Sequence, residues 1–219
     1  MVAIKPVLVF KWECVMNTSN NPRVGYSCDD WERHYEEKDL RWDLDEVAPP
    51  FVRLWEERDI PPCKAIVPGC GAGHEVMFLA EKGFKVTAVD YSYGAVRLLE
   101  SAFEKNNFLS KVLHQDFFTL GQKYNETFEL MLEHTFFCAI SPDMRQNYVE
   151  TANRILKPGG SLIGLFYETN EDGGPPFNTC QEDIEEYFSG SFIIESLNKT
   201  PHSAEQRRGK EWLAILKKI

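Results

Sequence analysis

Beyond residue 64 the chain alternates between two hydrophobic rhythms. Short apolar runs at 65–68, 84–90, 111–114, 128–133 and 161–167 have strand length, and the segments between them repeat apolar residues at helical spacing. Val76, Leu79, Ala80 and Phe84 share one face of the first predicted helix. Val96, Leu99 and Phe103 mark a second, capped by Ser92, and a third runs from about 144 to 156 until Lys157-Pro-Gly-Gly160 stops it. This regular alternation predicts an α/β fold, a doubly wound, Rossmann-like sheet that is mostly parallel with helices on both faces. Two last β-rich runs, 191–197 and 211–216, add an antiparallel C-terminal strand. The strand ends of such a sheet share one edge, and ligands bind there.

Ahead of this alternation, Ser27-Cys28-Asp29-Asp30 forms a capping box for a helix with Trp31 and Tyr35 on one face, and Trp42 follows shortly after. Large aromatics in an otherwise polar segment predict a lid over about residues 27–46, with simple burial against the domain as the other reading. Residues 47–60 read as an amphipathic helix begun at Pro49-Pro50 and ended by Pro61-Pro62, with Phe51, Leu54 and Trp55 inward. Residues 1–24 are expected to be a disordered or non-native lead, and 25–219 one domain. After the last parallel strand, residues 172–177 form a Gly/Pro loop, and Thr179 caps a short helix that ends near Phe188.

Composition narrows the chemistry. A net charge of −10 in 219 residues, with scattered basic positions, argues against a nucleic-acid partner. The tightest basic cluster, Arg207, Arg208 and Lys210, reads as a solvated face, and Arg145 and Lys157 as surface charges. The 6 cysteines show no C-x-x-C pair, so reduced thiols in a cytoplasmic protein without a metal site are expected. The N-terminus lacks the pattern of a signal peptide or a membrane span. Oligomeric state is left open, with a monomer one option.

The most informative motif is Val67-Pro-Gly-Cys-Gly-Ala-Gly-His74, which enters a helix and is followed by a strand ending in Asp90. Glycines at 69, 71 and 73 permit positive φ and a close backbone approach to a ligand, and an acid at the end of the second strand suits the hydroxyls of an adenosine ribose. The G-x-G-x-G spacing departs from the dinucleotide pattern G-x-G-x-x-G. Glu75 in the first helical turn disfavours a phosphate there and tolerates a zwitterion or cation, although it also simply complements the helix dipole. S-adenosylmethionine is the cofactor that fits.

The segments from Trp31 to Leu44, Val67 to His74, Val89-Asp90, Gln115-Asp116-Phe117, Thr135-Phe-Phe-Cys-Ala-Ile140, Leu156-Lys-Pro-Gly-Gly160 and Gly173-Gly-Pro-Pro-Phe177 together resemble the thiopurine methyltransferase superfamily. Within it the likeness is to the thiol, halide and thiocyanate methyltransferases, and it runs from about Asp29 to the C-terminus. It implies a class I methyltransferase sheet. It also implies that Trp31, Tyr35 and Trp42 cover the cofactor, that Gly69, Gly71 and Gly73 hold its methionine part, and that Asp90, with Tyr91 beside it, holds the ribose. Asp116 would meet the adenine amino group with Phe117 beside the ring, and Glu133 and His134 would complete the cofactor site. The chain departs from the family at Tyr35, often tryptophan, and at Glu133-His134, usually Asp-Tyr or Asp-Arg.

Displacement at a sulfonium methyl needs alignment more than activation, and a soft nucleophile requires little help. The expected acceptor is therefore a small sulfur nucleophile such as sulfide, methanethiol or another thiol, with halide or thiocyanate as the alternative. His134 is the candidate base, or else a space-filling residue; Tyr167 is a candidate hydrogen-bond donor to the acceptor, or else structural. Phe136 and Phe137 supply an apolar wall, one of them as ordinary core. A nicotinamide oxidoreductase and a non-catalytic cofactor-binding protein are the readings from other classes.

Overall fold

The inner parallel strands of the central sheet are apolar over most of their length, as strands covered on both faces must be. In the computed structural model, which describes residues 25–106 and 110–219 apart from the side chains of 104–106, the strands of the sheet are β1 (Lys64–Pro68), β2 (Lys85–Asp90), β3 (Lys111–His114), β4 (Phe128–His134), β5 (Leu156–Tyr167), β6 (Phe192–Lys199) and β7 (Glu211–Lys218). Their order is β3-β2-β1-β4-β5-β7-β6, with β1 to β5 parallel and β7 inserted antiparallel between β5 and β6. Alternate residues therefore serve two cores. Ile66, Val89, Met131, Leu162 and Leu216 face one, with helices α5 (Arg145–Ile155) and α6 (Gln181–Phe188). Ala65, Val67, Ala88, Leu132 and Ile163 face the other, with α2 (Pro49–Glu57), α3 (His74–Glu81) and α4 (Tyr93–Asn106).

Several boundaries differ from the sequence reading. The amphipathic helix occupies Pro49–Glu57 only, since its prolines sit in the first turn, where a missing N–H costs nothing. Lys157-Pro-Gly-Gly160 does not end the helix from outside the sheet. It is an irregularity within β5, whose register slips between the Phe128 and Leu130 pairings. Cys180, not Thr179, is the N-cap of α6, and the Thr179 hydroxyl instead accepts from Arg145 at 3.0 Å.

The N-terminal helix α1 (Cys28–Glu37) starts at the expected capping box, Ser27 Oγ accepting from the Asp30 N–H and the Asp30 carboxylate from the Ser27 N–H. It lies across the start of α4. Gly94 permits the contact, because a Cβ there would stand 2.4 Å from that of Tyr35. Residues 1–24, the predicted lead, lie outside the described residues. Among the described residues no helix is long and apolar enough to cross a membrane, and no group of three or more potential metal ligands occurs.

Candidate active site

The carboxyl ends of β1 and β2 meet at the glycine turn. Gly69, Gly71 and Gly73 have φ of 55, 52 and 85°, a region unfavourable to other residues. Two of them also have no room for a side chain. A Cβ on Gly69 would lie 2.6 Å from Phe136, and one on Gly73 2.5 Å from Leu99. The turn is thus pressed between the loop after β4 and helix α4.

Asp90, at the end of β2, accepts from the Gly71 N–H at 3.0 Å and the Ser92 N–H at 2.9 Å. Burial raises its pKa to about 6 against the pull of these donors. Ser92 links this carboxylate to the N-terminal segment, because its hydroxyl donates to Glu32 Oε2 at 2.7 Å and the same oxygen accepts from the Gly94 N–H at 3.1 Å. Glu32 thereby caps α4 from another helix. The sequence reading passed it over, since a glutamate on an exposed-looking helix face carries no local signal. Tyr91 lies alongside, its hydroxyl 3.4 Å from the Tyr26 carbonyl oxygen.

Trp31, Tyr35 and Trp42 do come together. The Trp31 and Trp42 rings meet edge to face at 5.0 Å, and Tyr35 and Trp42 at 6.0 Å. All three are half-buried. The Tyr35 hydroxyl lies over Gly71, and burial raises the Tyr35 pKa above its usual value. The segment is fastened at its far end by His74 Nε2 and Asp43 Oδ1, 2.9 Å apart. This bond, with the Asp43 charge, raises the His74 pKa despite partial burial.

On the β4 side the structure redistributes the predicted roles. The Glu133 side chain turns away from the strand edge into the core. One oxygen accepts from the N–H groups of Phe136 and Phe137 at 2.9 and 2.8 Å, and the other from the Tyr148 hydroxyl at 2.5 Å. Burial raises its pKa. Glu133 therefore shapes the 134–140 loop and offers no carboxylate to a cofactor. Phe117 is likewise in the core, 3% exposed and packed on Tyr148 and Phe136, so its ring cannot flank a ligand. Asp116 remains at the end of β3, with Oδ1 accepting from the Phe118 N–H at 2.9 Å. Phe137 is core, whereas Phe136 is only half-buried and seated on Gly69.

His134 is engaged at both nitrogens. Nδ1 lies 2.8 Å from Glu75 Oε1 and Nε2 lies 2.9 Å from Arg207 Nη1. A guanidinium only donates, so Nε2 accepts and the ring proton sits on Nδ1. The lone pair that a base needs is taken, which speaks against the predicted proton-abstracting role. Arg207 overturns the solvated-face reading of the basic cluster: it is 7% exposed and also donates to Glu211 Oε1 at 3.4 Å and to the Trp42 carbonyl, while its guanidinium lies 5.6 Å over the Tyr167 ring. Arg145, also expected at the surface, is 3% exposed and donates to the Asn178 carbonyl at 2.9 Å, tying the Gly/Pro loop to α5. Lys157 is where expected, paired with Glu129 in a half-exposed position. Neither arginine could be placed from local sequence, because the groups that bury them come from distant segments.

Glycine turn, strand-end carboxylate and aromatic cover converge on one edge of the sheet. The family model for thiopurine S-methyltransferase matches residues 26–217. The chain belongs to the thiopurine S-methyltransferase family. It is 36% identical over 196 residues to thiocyanate methyltransferase 1 of Brassica oleracea, covering 86% of this chain and 84% of that relative. It is 33% identical over 192 residues to probable thiol methyltransferase 2 of Arabidopsis thaliana, with the same coverage of 86% and 84%. Among solved structures, the 1,6-didemethyltoxoflavin-N1-methyltransferase of Burkholderia thailandensis, with its bound substrate and S-adenosylhomocysteine, superposes with a TM-score of 0.71 at 16% identity, over 87% of this chain and 86% of that one. That likeness shows the fold. The protein is a methyltransferase dependent on S-adenosylmethionine, with the class I sheet that the sequence predicted.

Proposed function

We propose that the acceptor is a small sulfur nucleophile that enters the site as an anion, a hydrosulfide, thiolate or thiocyanate. The observation that carries this reading is Arg207, a buried guanidinium beside the ends of β4 and β5 whose contact with His134 removes that imidazole from base duty. A fixed cation favours an acceptor already ionised, and Tyr167, at the end of β5, carries a hydroxyl that can donate to an anion. The names of the thiocyanate and thiol methyltransferase relatives support the same class. Halide remains the second reading, because a large halide shares the charge that Arg207 and Tyr167 would select.

Bound S-adenosylmethionine supplies an electrophilic methyl group on a sulfonium. In this reading the turn at Gly69, Gly71 and Gly73 holds its methionine part, Asp90 accepts from the ribose hydroxyls, Asp116 faces the adenine, and Trp31, Tyr35 and Trp42 exclude water. Arg207 and Tyr167 hold the acceptor on line, and Phe136 presents an apolar wall beside it.

The test is product analysis by headspace gas chromatography, with sulfide, methanethiol, thiocyanate and iodide assayed separately over a range of pH. With no base supplied by the protein, turnover of thiols rises with their own ionisation while thiocyanate is insensitive to pH above neutrality. A thiol rate that stays flat through the thiol's own ionisation would show a protein base and refute the reading.

A further inference from the structure

We infer that Glu75 is a positioning residue that acts through His134 to aim the Arg207 guanidinium at the acceptor. The inference rests on the acceptor reading above, and it extends that reading to a residue on a different element. Glu75 is 8% exposed, in the first turn of α3. Its Oε1 accepts from the backbone N–H of Ala48 at 3.1 Å and from His134 Nδ1 at 2.8 Å. The backbone bond fixes the carboxylate, the carboxylate fixes the ring and its tautomer, and the ring's remaining nitrogen fixes Arg207.

The arrangement matters because each link has a competitor. Arg207 has another anionic partner, Glu211, at the longer distance of 3.4 Å, and it also bonds the Trp42 carbonyl on the aromatic segment. Were His134 free to turn, or to carry its proton on Nε2, the contact with Arg207 would be donor against donor. The guanidinium, whose Nη1 already lies 3.4 Å from Glu211 Oε1, would then close on that carboxylate and leave its present direction. The Phe51 ring, edge to face with His134 at 5.9 Å, closes one side of the imidazole. The charged and titratable groups around the relay are Glu75 and His74 on α3, Asp43 in the aromatic segment, Glu133 on β4, Cys70 in the glycine turn, Cys138 in the loop after β4, Glu211 on β7, Tyr167 on β5 and Arg207 itself. His134 is also a position at which the chain departs from the tyrosine or arginine of the resemblance, and an arginine there has no acceptor to offer Arg207.

The experiment uses the full chain and two readouts. Two-bond nitrogen–proton correlation spectra of the imidazoles, with His134 identified by its loss in His134→Phe, report the tautomer without reference to activity. A neutral ring protonated on Nδ1 is expected at neutral pH; an Nε2-protonated tautomer or an imidazolium overturns the relay. In acceptor kinetics at saturating S-adenosylmethionine, Glu75→Ala is expected to raise the acceptor KM about tenfold, the factor for one hydrogen bond. Its kcat and its affinity for S-adenosylhomocysteine should stay within about twofold. An unchanged KM, or parallel loss of cofactor affinity, overturns the inference. If that variant fails to fold, Glu75→Gln retains an oxygen for both donors: a KM near that of the parent supports the relay, and one raised about tenfold refutes it. Should the parent chain methylate none of the small anions, the acceptor reading fails while the tautomer spectrum still decides the relay.

Discussion

The two halves of the site are made of different material. Around the ends of β1 and β2 it is built from backbone, with positive φ at the glycine turn and N–H groups of Gly71 and Ser92 on Asp90. Around the ends of β4 and β5 it is built from polar side chains that bond one another, Glu75, His134, Arg207 and Glu211, drawn from three separate stretches of chain. A backbone cradle suits a ligand that every relative shares, while a side-chain network can be retuned by single substitutions. The difference teaches where specificity resides. In the proposed reading the cofactor belongs to the family, and the acceptor is set by the network.

The sharpest way to break this division is to damage the first half and look for an effect on the second. Asp90→Ala should weaken S-adenosylhomocysteine binding by about 3 kcal/mol or more in calorimetry, the worth of two hydroxyl bonds to an ionised group. Unchanged affinity would remove Asp90 from the ribose site. Gly69→Ala should reach both halves, because a Cβ strikes Phe136 at 2.6 Å in a left-handed conformation, and a loss of about 2 to 4 kcal/mol in denaturant unfolding is expected. A loss below about 1 kcal/mol would mean that the turn and the β4 loop are not pressed together.

How much of this division was readable in the chain follows from the same contrast. The glycine turn, Asp90 and the sheet itself announce themselves within short windows, because periodicity and turn chemistry are local. Glu133 and Phe117 stood in the right motifs, but their side chains turn inward, towards Tyr148 in both cases, and only packing decides that. Arg207 was hidden for the opposite reason. Beside Arg208 and Lys210 it reads as solvent-facing, and the groups that bury it, Trp42 and His134, lie far away in sequence.

Protonation gives a smaller effect confined to the cofactor half. Asp90 has a folded pKa of about 6, above its unfolded value, so its contribution to apo stability is fully present below the unfolded value and is lost as pH rises through about 6. Ribose hydroxyls donate to the ionised form. S-adenosylhomocysteine should therefore bind more tightly as pH rises from 5 to 7, with about tenfold between those values, and Asp90→Asn should flatten the profile. An unflattened profile would assign the titration to another group. Smallest of all, Glu32→Ala should loosen the aromatic segment from α4 and weaken cofactor binding about fivefold, the loss of a cross-helix cap, with acceptor KM unchanged at saturating cofactor.

The most direct test of the division is Arg207→Met, measured for cofactor affinity by calorimetry and for acceptor kinetics in the same preparation. The expected result is an acceptor KM raised on the order of a hundredfold with S-adenosylhomocysteine affinity within about twofold of the parent, as for loss of a charged contact in one half only. Equal loss of cofactor and acceptor binding would contradict it, and would make Arg207 a clasp for the aromatic segment through Trp42.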